Sequence, residues 1–415
     1  MKLAHALPLL FIAAPTLTAL HFYFLTERTA FDSYAPVNLR ILFQLPLLGV
    51  ALWLGFSGKA LEGQMPKPVK LALWVLIAAI LWGLALNAVE PFVGVVSLML
   101  RGLNVMLALM LIYVIHRAGE GLRRQLILAI PLAYALHFAV VLAMLPGLLA
   151  SPQVDWLNSP PGIFQVRLWG MSLTAALAVA VVLGASHGAA RRVWPLLLAL
   201  SLATALCYTG TRAALPALAV GFGVTALIVG RPLWRAGLLL LAVLALGALL
   251  SLPLPVPHPA YGLISSYQET MGAQNVDQVS AGRVEIWLQA IEIWQNHPVF
   301  GIGYDQFRYW NWGRFEGFNQ PHNAVIEFFL VFGLVGGLAM LTILAWLWVR
   351  ACGATRAQPT QERIAALFAL NALLALSLLD GTLYQQDTLQ MFAVLWACLL
   401  ARPSGPGGQA KPPAL

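Results

Sequence analysis

Long apolar runs recur along the chain, most of them divided by short polar connections. A helix needs about 20 mostly apolar residues to cross about 30 Å of hydrocarbon. Twelve runs approach that length: near 6–24, 38–57, 69–88, 92–115, 125–149, 166–185, 193–208, 213–230, 234–251, 322–349, 363–380 and 385–401. Those near 193–208 and 385–401 are short. One connection stands apart, the mixed, aromatic-rich stretch 252–321. The pattern predicts one transmembrane domain over 1–401, containing that loop, and a Pro/Gly-rich tail over 402–415 without fixed structure.

Composition turns this pattern into a class. A soluble domain carries about 25% charged residues. This 415-residue chain carries 10%, with 60% of its residues apolar and a mean hydropathy of +0.79. Such a chain cannot cover its surface with polar groups. The expectation is an all-α polytopic membrane protein of about 12 spans; a soluble enzyme, a disordered chain, a collagen and a disulfide scaffold are excluded. The first apolar run superficially resembles a signal peptide but is read as a span, because many others follow and no strong small-x-small cleavage site is seen. Cys207, Cys352 and Cys398 lie in or beside apolar runs, without zinc spacing, and read as small hydrophobes.

The net charge of +8 reads as topology rather than nucleic-acid binding. One alternate set of connections holds sixteen Lys and Arg against three acids, Glu62, Glu120 and Glu362. The other holds seven Arg and twelve of the sixteen acids. Arg101 and Glu327 fall inside spans, and Asp380 at a span end. Basic connections stay cytoplasmic, so both termini are expected inside and 252–321 outside. No internal repeat is visible, which weighs weakly against transporters built from repeated halves.

Within the outer loop, four prolines keep 252–262 extended, and a polar segment follows over Ser265–Ser280. From 282 to 296 the pattern turns helical: Glu285, Gln289, Glu292 and Asn296 share one face, with Val284, Trp287, Leu288, Ile291 and Trp294 elsewhere. An amphipathic helix lying on the membrane surface or capping the bundle is expected. The Gly- and aromatic-rich stretch 297–321 has two readings, an interfacial aromatic belt or a platform for the apolar faces of sugar rings.

Three outer-side residues carry candidate chemistry. Arg212 follows Thr209-Gly210-Thr211 at a span mouth, Arg283 opens the loop helix, and His322 starts the tenth span. Singly they read as a snorkelling arginine, a loop charge and a capping histidine. Together they offer what a diphosphate-activated lipid-linked sugar requires. Two guanidiniums hold the departing diphosphate as permanent, forked donors. A histidine, with an ordinary pKa near 6.5, accepts the proton of an attacking hydroxyl near neutral pH. No Asp-x-Asp pair or ligand-spaced His/Asp cluster offers a metal instead, so no metal and no cofactor is expected.

The run Pro321-His322-Asn323, with Gly333-Leu334-Val335-Gly336 beyond it, resembles the signature of the O-antigen ligase family. So do Gly282-Arg283 with Trp287, the His297-Pro298-Gly301-Gly303 stretch, and the Thr-Gly-Thr-Arg212 segment. The resemblance covers roughly 205–345 by motif. One departure is visible: Pro216 stands where the family's arginine motif has Leu, and Leu215 precedes it. The resemblance implies a C-type membrane glycosyltransferase architecture with one large periplasmic loop in the bacterial inner membrane. It implies transfer of O-antigen from undecaprenyl diphosphate to lipid A-core, with inversion at the anomeric centre. It implies His322 as activator of the acceptor hydroxyl and Arg212 and Arg283 as holders of the donor diphosphate. Asn323 and Asp387 are candidate supports of the same site; Asp387 reads equally as a loop charge.

Two relatives in the same superfamily share this logic. An O-antigen polymerase would extend a chain on its lipid carrier; a protein O-oligosaccharyltransferase would glycosylate Ser or Thr. The short tail favours the ligase over the latter. A lipid or anion transporter would place its polar residues near the bilayer midplane, where only Arg101, Glu327 and His137 are candidates. A non-catalytic assembly subunit is the remaining reading.

Overall fold

A computed structural model describes residues 6–24, 49, 65–150, 154, 156–157, 165–186, 193–230 and 233–402. The expected span near 38–57, apart from residue 49, and the tail beyond Arg402 lie outside the described residues. The helices are α1 (Ala6–Phe24), α2 (Lys67–Trp82, continued by a π-helical turn Gly83–Asn87), α3 (Pro91–Ala118), α4 (Glu120–Leu149), α5 (Val166–Ser186), α6 (Val193–Thr209), α7 (Ala214–Val229), α8 (Trp234–Ser251), α9 (Leu263–Met271), α10 (Val276–Val279), α11 (Arg283–Asn296), α12 (Ala324–Ala357), α13 (Gln361–Ser377) and α14 (Gln386–Leu400). Eleven of the twelve expected spans thus coincide with helices. Six helices among the described residues are long and apolar enough to cross a membrane: Lys67–Asn87, Pro91–Ala118, Glu120–Leu149, Val166–Ser186, Trp234–Ser251 and Ala324–Ala357. α6 and α7 are shorter apolar helices.

Burial sorts these helices into inner and outer ones. The most apolar window of α5 is 94% buried, whereas that of α3 is 22% buried. A helix apolar all round belongs inside a bundle or against lipid. α5 takes the inner place, packed against α4, α6 and α13. α2, α3, α7 and α8 turn large apolar side chains outward. Leu81, Phe92, Met99, Leu227, Leu241 and Leu249 are 62–83% exposed, a surface suited to hydrocarbon rather than water. The main core gathers residues of α4, α5, α6, α13 and α14, and α2 packs on α12 beside it.

The loop between α8 and α12 is more ordered than its composition indicated. The polar segment expected over Ser265–Ser280 contains two short helices, α9 and α10. α11 falls where the periodicity placed it, but rotated. Its buried face is Ile286, Gln289, Ala290 and Ile293, packed with Ile302, Phe307, Phe315 and Leu330. Leu288 is 63% exposed. Gln289 therefore leaves the expected polar stripe; it tolerates burial because its Nε2 donates to the Trp312 carbonyl at 3.1 Å. α11 caps the bundle by packing on α12.

The expected span 322–349 is one helix in sequence but not in backbone. At Gly333 the chain adopts φ 66°, ψ −172°, breaking α12. The loop 298–303 fills the break and exchanges hydrogen bonds with it. Ile302 and Gly303 donate to the Leu330 and Val331 carbonyls at 2.9 and 3.1 Å; Leu334 and Val335 donate to Pro298 and Val299 at 2.8 and 3.3 Å. An interrupted helix inside a membrane protein must satisfy its freed backbone groups internally, and these four bonds do so. The exchange needs glycine on both sides. A Cβ at Gly333 would stand 2.2 Å from the Val299 carbonyl carbon, and one at Gly301 2.5 Å from the Leu330 oxygen.

Gly333→Ala combines a forbidden φ with a backbone clash, and is expected to destabilise by more than about 1 kcal/mol. The check is thermal unfolding of the purified protein in detergent. An unchanged melting temperature would contradict the exchange of bonds at the break.

Candidate functional site

The break in α12 fixes the C-terminal half of the α8–α12 loop, and that half ends at His322. After Pro321 the backbone turns through φ 57° at His322, a conformation few non-glycine residues adopt. Asn323 then caps α12, its Oδ1 accepting from Val325 and Ile326 at 3.0 and 3.1 Å. The same side chain donates through Nδ2 to the Leu378 carbonyl at 2.8 Å. Asn323 thus ties the start of α12 to the loop that follows α13.

That loop carries Asp380, around which the site is built. One carboxylate oxygen lies 2.9 Å from His322 Nδ1, and the other accepts from Arg283 Nη2 at 2.9 Å. The Gly381 amide donates to the oxygen facing His322, Oδ1, at 2.8 Å. Asp380 is 2% exposed. Burial alone would raise its pKa, but the hydrogen bond from His322, the Arg283 charge and the Gly381 amide together hold it well below the usual carboxylate range. An ionised carboxylate only accepts, so Nδ1 of His322 carries the proton and Nε2 is the basic nitrogen. Phe318 meets the imidazole edge-on, ring centres 6.3 Å apart.

Arg283 is positioned by the start of α11. Gly282 caps the helix in a left-handed conformation. The Val284 and Glu285 amides donate to Ser280 Oγ and Asp277 Oδ1 at 3.2 and 3.0 Å, satisfying donors that a helix start leaves free. Arg314 pairs with Asp277 and Glu285 across the same turn. Asp277 lies below its usual pKa: its slight burial acts upward, but the Glu285 amide and the Arg314 guanidinium outweigh it.

Arg212 sits elsewhere, and the structure does not join it to His322 directly. Its Nη1 donates to Thr270 Oγ1 at 2.7 Å and its Nη2 lies 3.3 Å from Glu269, both on α9. α9 is in turn held by Ser266 Oγ, which donates to the Gly210 carbonyl at 2.8 Å. Arg212 and Arg283 both line a cavity of about 500 Å³ with otherwise mainly apolar walls, among them Leu206, Leu215, Leu263, Trp287 and Leu379. A second cavity, of about 130 Å³, is lined by His322, Asp380, Arg283, Phe318 and Arg167. Arg283 is common to both.

Two members of this arrangement were missed in the sequence. Asp380 read as a span-end charge, because the apolar run continues to it; helix α13 stops at Ser377, and Asp380 turns back toward His322. The acid singled out instead, Asp387, lies in the first turn of α14, and its side chain is outside the described residues. Arg167, at the start of α5, lines the smaller cavity beside Arg283, His322 and Asp380. Its only sequence signal was its place on the outer side of a span. Among the described residues no three His, Cys, Asp or Glu side chains are grouped as a metal would need.

Residues 196–341 match the family model described as O-antigen ligase. The matched region contains Arg212, Arg283 and His322, and the α12 break with both of its glycine partners; Asp380 and Arg167 lie beyond it. No curated protein matches the chain.

The sign of the Asp380 contribution follows from its lowered pKa. Its bonds to Arg283 and His322 stabilise the fold above the unfolded carboxyl value, near 3.9, and that stability is lost as pH falls through the lower folded value. Asp380→Asn should therefore lower the melting temperature at pH 7, with the gap to wild type closing below about pH 4. A gap that stays constant across that window would contradict an ionised Asp380.

Proposed function

We propose, for a chain whose residues 196–341 belong to the O-antigen ligase family, an inverting glycosyl transfer that needs no metal. The family match and the apolar helices support a glycosyltransferase-like multi-pass membrane protein. The finer reading is that it ligates O-antigen from undecaprenyl diphosphate onto lipid A-core, at the periplasmic face of the bacterial inner membrane, with both termini cytoplasmic.

The observation that carries this reading is the Arg283–Asp380–His322 chain at the junction of two cavities. The larger cavity joins a guanidinium pair to apolar walls, the two surfaces an amphiphilic lipid diphosphate requires. Arg212 and Arg283 take up negative charge as the C1–O bond to the diphosphate breaks. His322 Nε2 receives the proton of the acceptor hydroxyl, whose oxygen attacks C1 from the face opposite the leaving group. Attack from that face inverts the anomeric centre. Asp380 fixes the imidazole tautomer and stabilises the imidazolium that forms, as a buried carboxylate does behind a catalytic histidine. The arginines supply fixed positive charge where other enzymes place a divalent cation.

The test is transfer by purified protein in nanodiscs from an undecaprenyl-diphosphate glycan. Lipid A-core, the lipid-linked repeat unit and an acceptor peptide are offered in parallel, with and without chelator. Glycan is expected on lipid A-core alone and unaffected by chelator. Longer chains on the carrier would instead make the protein a polymerase, and glycan on the peptide a protein glycosyltransferase. His322→Ala should abolish transfer without unfolding the protein. Arg283→Lys should reduce it by about 10²-fold or more, because a point charge does not reproduce the fork. Normal transfer by both variants would overturn the mechanism.

A further inference from the structure

A second charged cluster lies on the far side of the loop that carries Asp380. The α13–α14 connection, residues 378–385, contains Asp380 near one end and Tyr384 at the other. The Tyr384 hydroxyl donates to Asp305 Oδ1. Burial raises the Tyr384 pKa well above its ordinary value, so the phenol keeps its proton and donates. Asp305 also accepts from Ser97 Oγ at 2.6 Å and Arg308 Nη2 at 2.7 Å. Arg101, in the middle of α3, donates to the Tyr384 carbonyl at 2.6 Å and the Tyr304 hydroxyl at 2.8 Å. Its guanidinium lies over both rings, 4.8 and 5.4 Å from their centres, and the two rings stack with planes 11° apart.

Asp305 belongs to the loop 297–323, which begins in the α12 break and ends at His322. The Tyr384–Asp305 bond therefore joins the segment bearing Asp380 to the segment bearing His322, and α3 holds both through Ser97 and Arg101. Gln306, next to Asp305, adds a third tie to α3: its side chain accepts from the Glu90 amide at 2.8 Å and donates to the Glu90 carbonyl at 3.0 Å. Asp305 itself takes φ 57°, which a β-carbon makes costly unless the surroundings impose it. Arg101 is one of the residues that a midplane transport pathway would have used. Here its bonds go to the two loops of the site.

We propose that Tyr384, Asp305 and Arg101 form a positioning clamp that sets the separation of His322 from Asp380. None of the three lines either cavity, so they act through the histidine–aspartate pair and not on substrate. Misplacement of a catalytic pair by fractions of an ångström costs rate more than binding. The consequence for turnover rests on the glycosyl-transfer reading; the effect on the His322–Asp380 bond does not.

The test uses the full chain in nanodiscs with two readouts. The first is the downfield proton resonance of His322 Nδ1–H in protein labelled at histidine, identified by its loss in His322→Ala. Tyr384→Phe, which removes only the hydroxyl, should shift or broaden it. The second is kinetics: Tyr384→Phe should lower kcat about tenfold with both KM values within about twofold. Its effect should largely vanish in an Asp380→Asn background, because two changes acting through one bond are not additive. A resonance unmoved by Tyr384→Phe would overturn the clamp, as would full additivity in the double variant. Should Tyr384→Phe not fold, Ser97→Ala removes another bond to the same carboxylate and carries both readouts. If wild-type protein transfers glycan to none of the acceptors, the functional reading fails and the resonance alone decides the clamp.

Discussion

A single buried carboxylate organises this protein. Asp380 holds Arg283 with one oxygen and His322 with the other, joining a loop helix and the start of a long helix through a connection far from both in sequence. Removing a charge from water is expensive unless it is paired and hydrogen-bonded. Here two side chains and one amide supply that pairing, so the carboxylate can be ionised and buried at once. It follows that Arg283 and His322 are drawn to one point.

Glycine makes the geometry around that point possible. The break at Gly333 exposes backbone groups inside the bundle, and the loop 298–303 inserts to satisfy them. That insertion anchors the α8–α12 loop to α12 at one end, while His322 and Asn323 attach it to the start of the same helix. The loop is thus closed on itself against α12, with α11 capping it and carrying Arg283. The segment is held both by these exchanged backbone bonds and by the packing of Phe307 and Phe315 under α11.

Much of the architecture was legible as apolar periodicity, because a membrane-spanning helix announces itself by length and hydropathy. The helix α11 was legible too, from its 3.6-residue pattern, although its buried face was not. Gln289 goes inward on the strength of one backbone partner that only the fold supplies. The short helices α9 and α10 were hidden by polar composition, and the break in α12 by an unbroken apolar run. At the site, Arg283 and His322 stood out because charge is scarce in such a chain and both flank helix starts. Asp380 did not: its role depends on α13 ending at Ser377, and helix ends are the least certain part of any reading from sequence. Arg212 was legible as a residue but its distance from His322 was not, since the fold gives it partners on α9 and a place in the larger cavity.

The most direct measurement of the central claim is a cryo-electron microscopy structure with undecaprenyl diphosphate bound. The account predicts the diphosphate between Arg212 and Arg283, its prenyl chain along Leu206, Leu215 and Leu263, and His322 still bonded to Asp380 with Nε2 facing the end of the diphosphate where the sugar would attach. A diphosphate bound away from both arginines, or a His322 turned away from Asp380 in the complex, would contradict it.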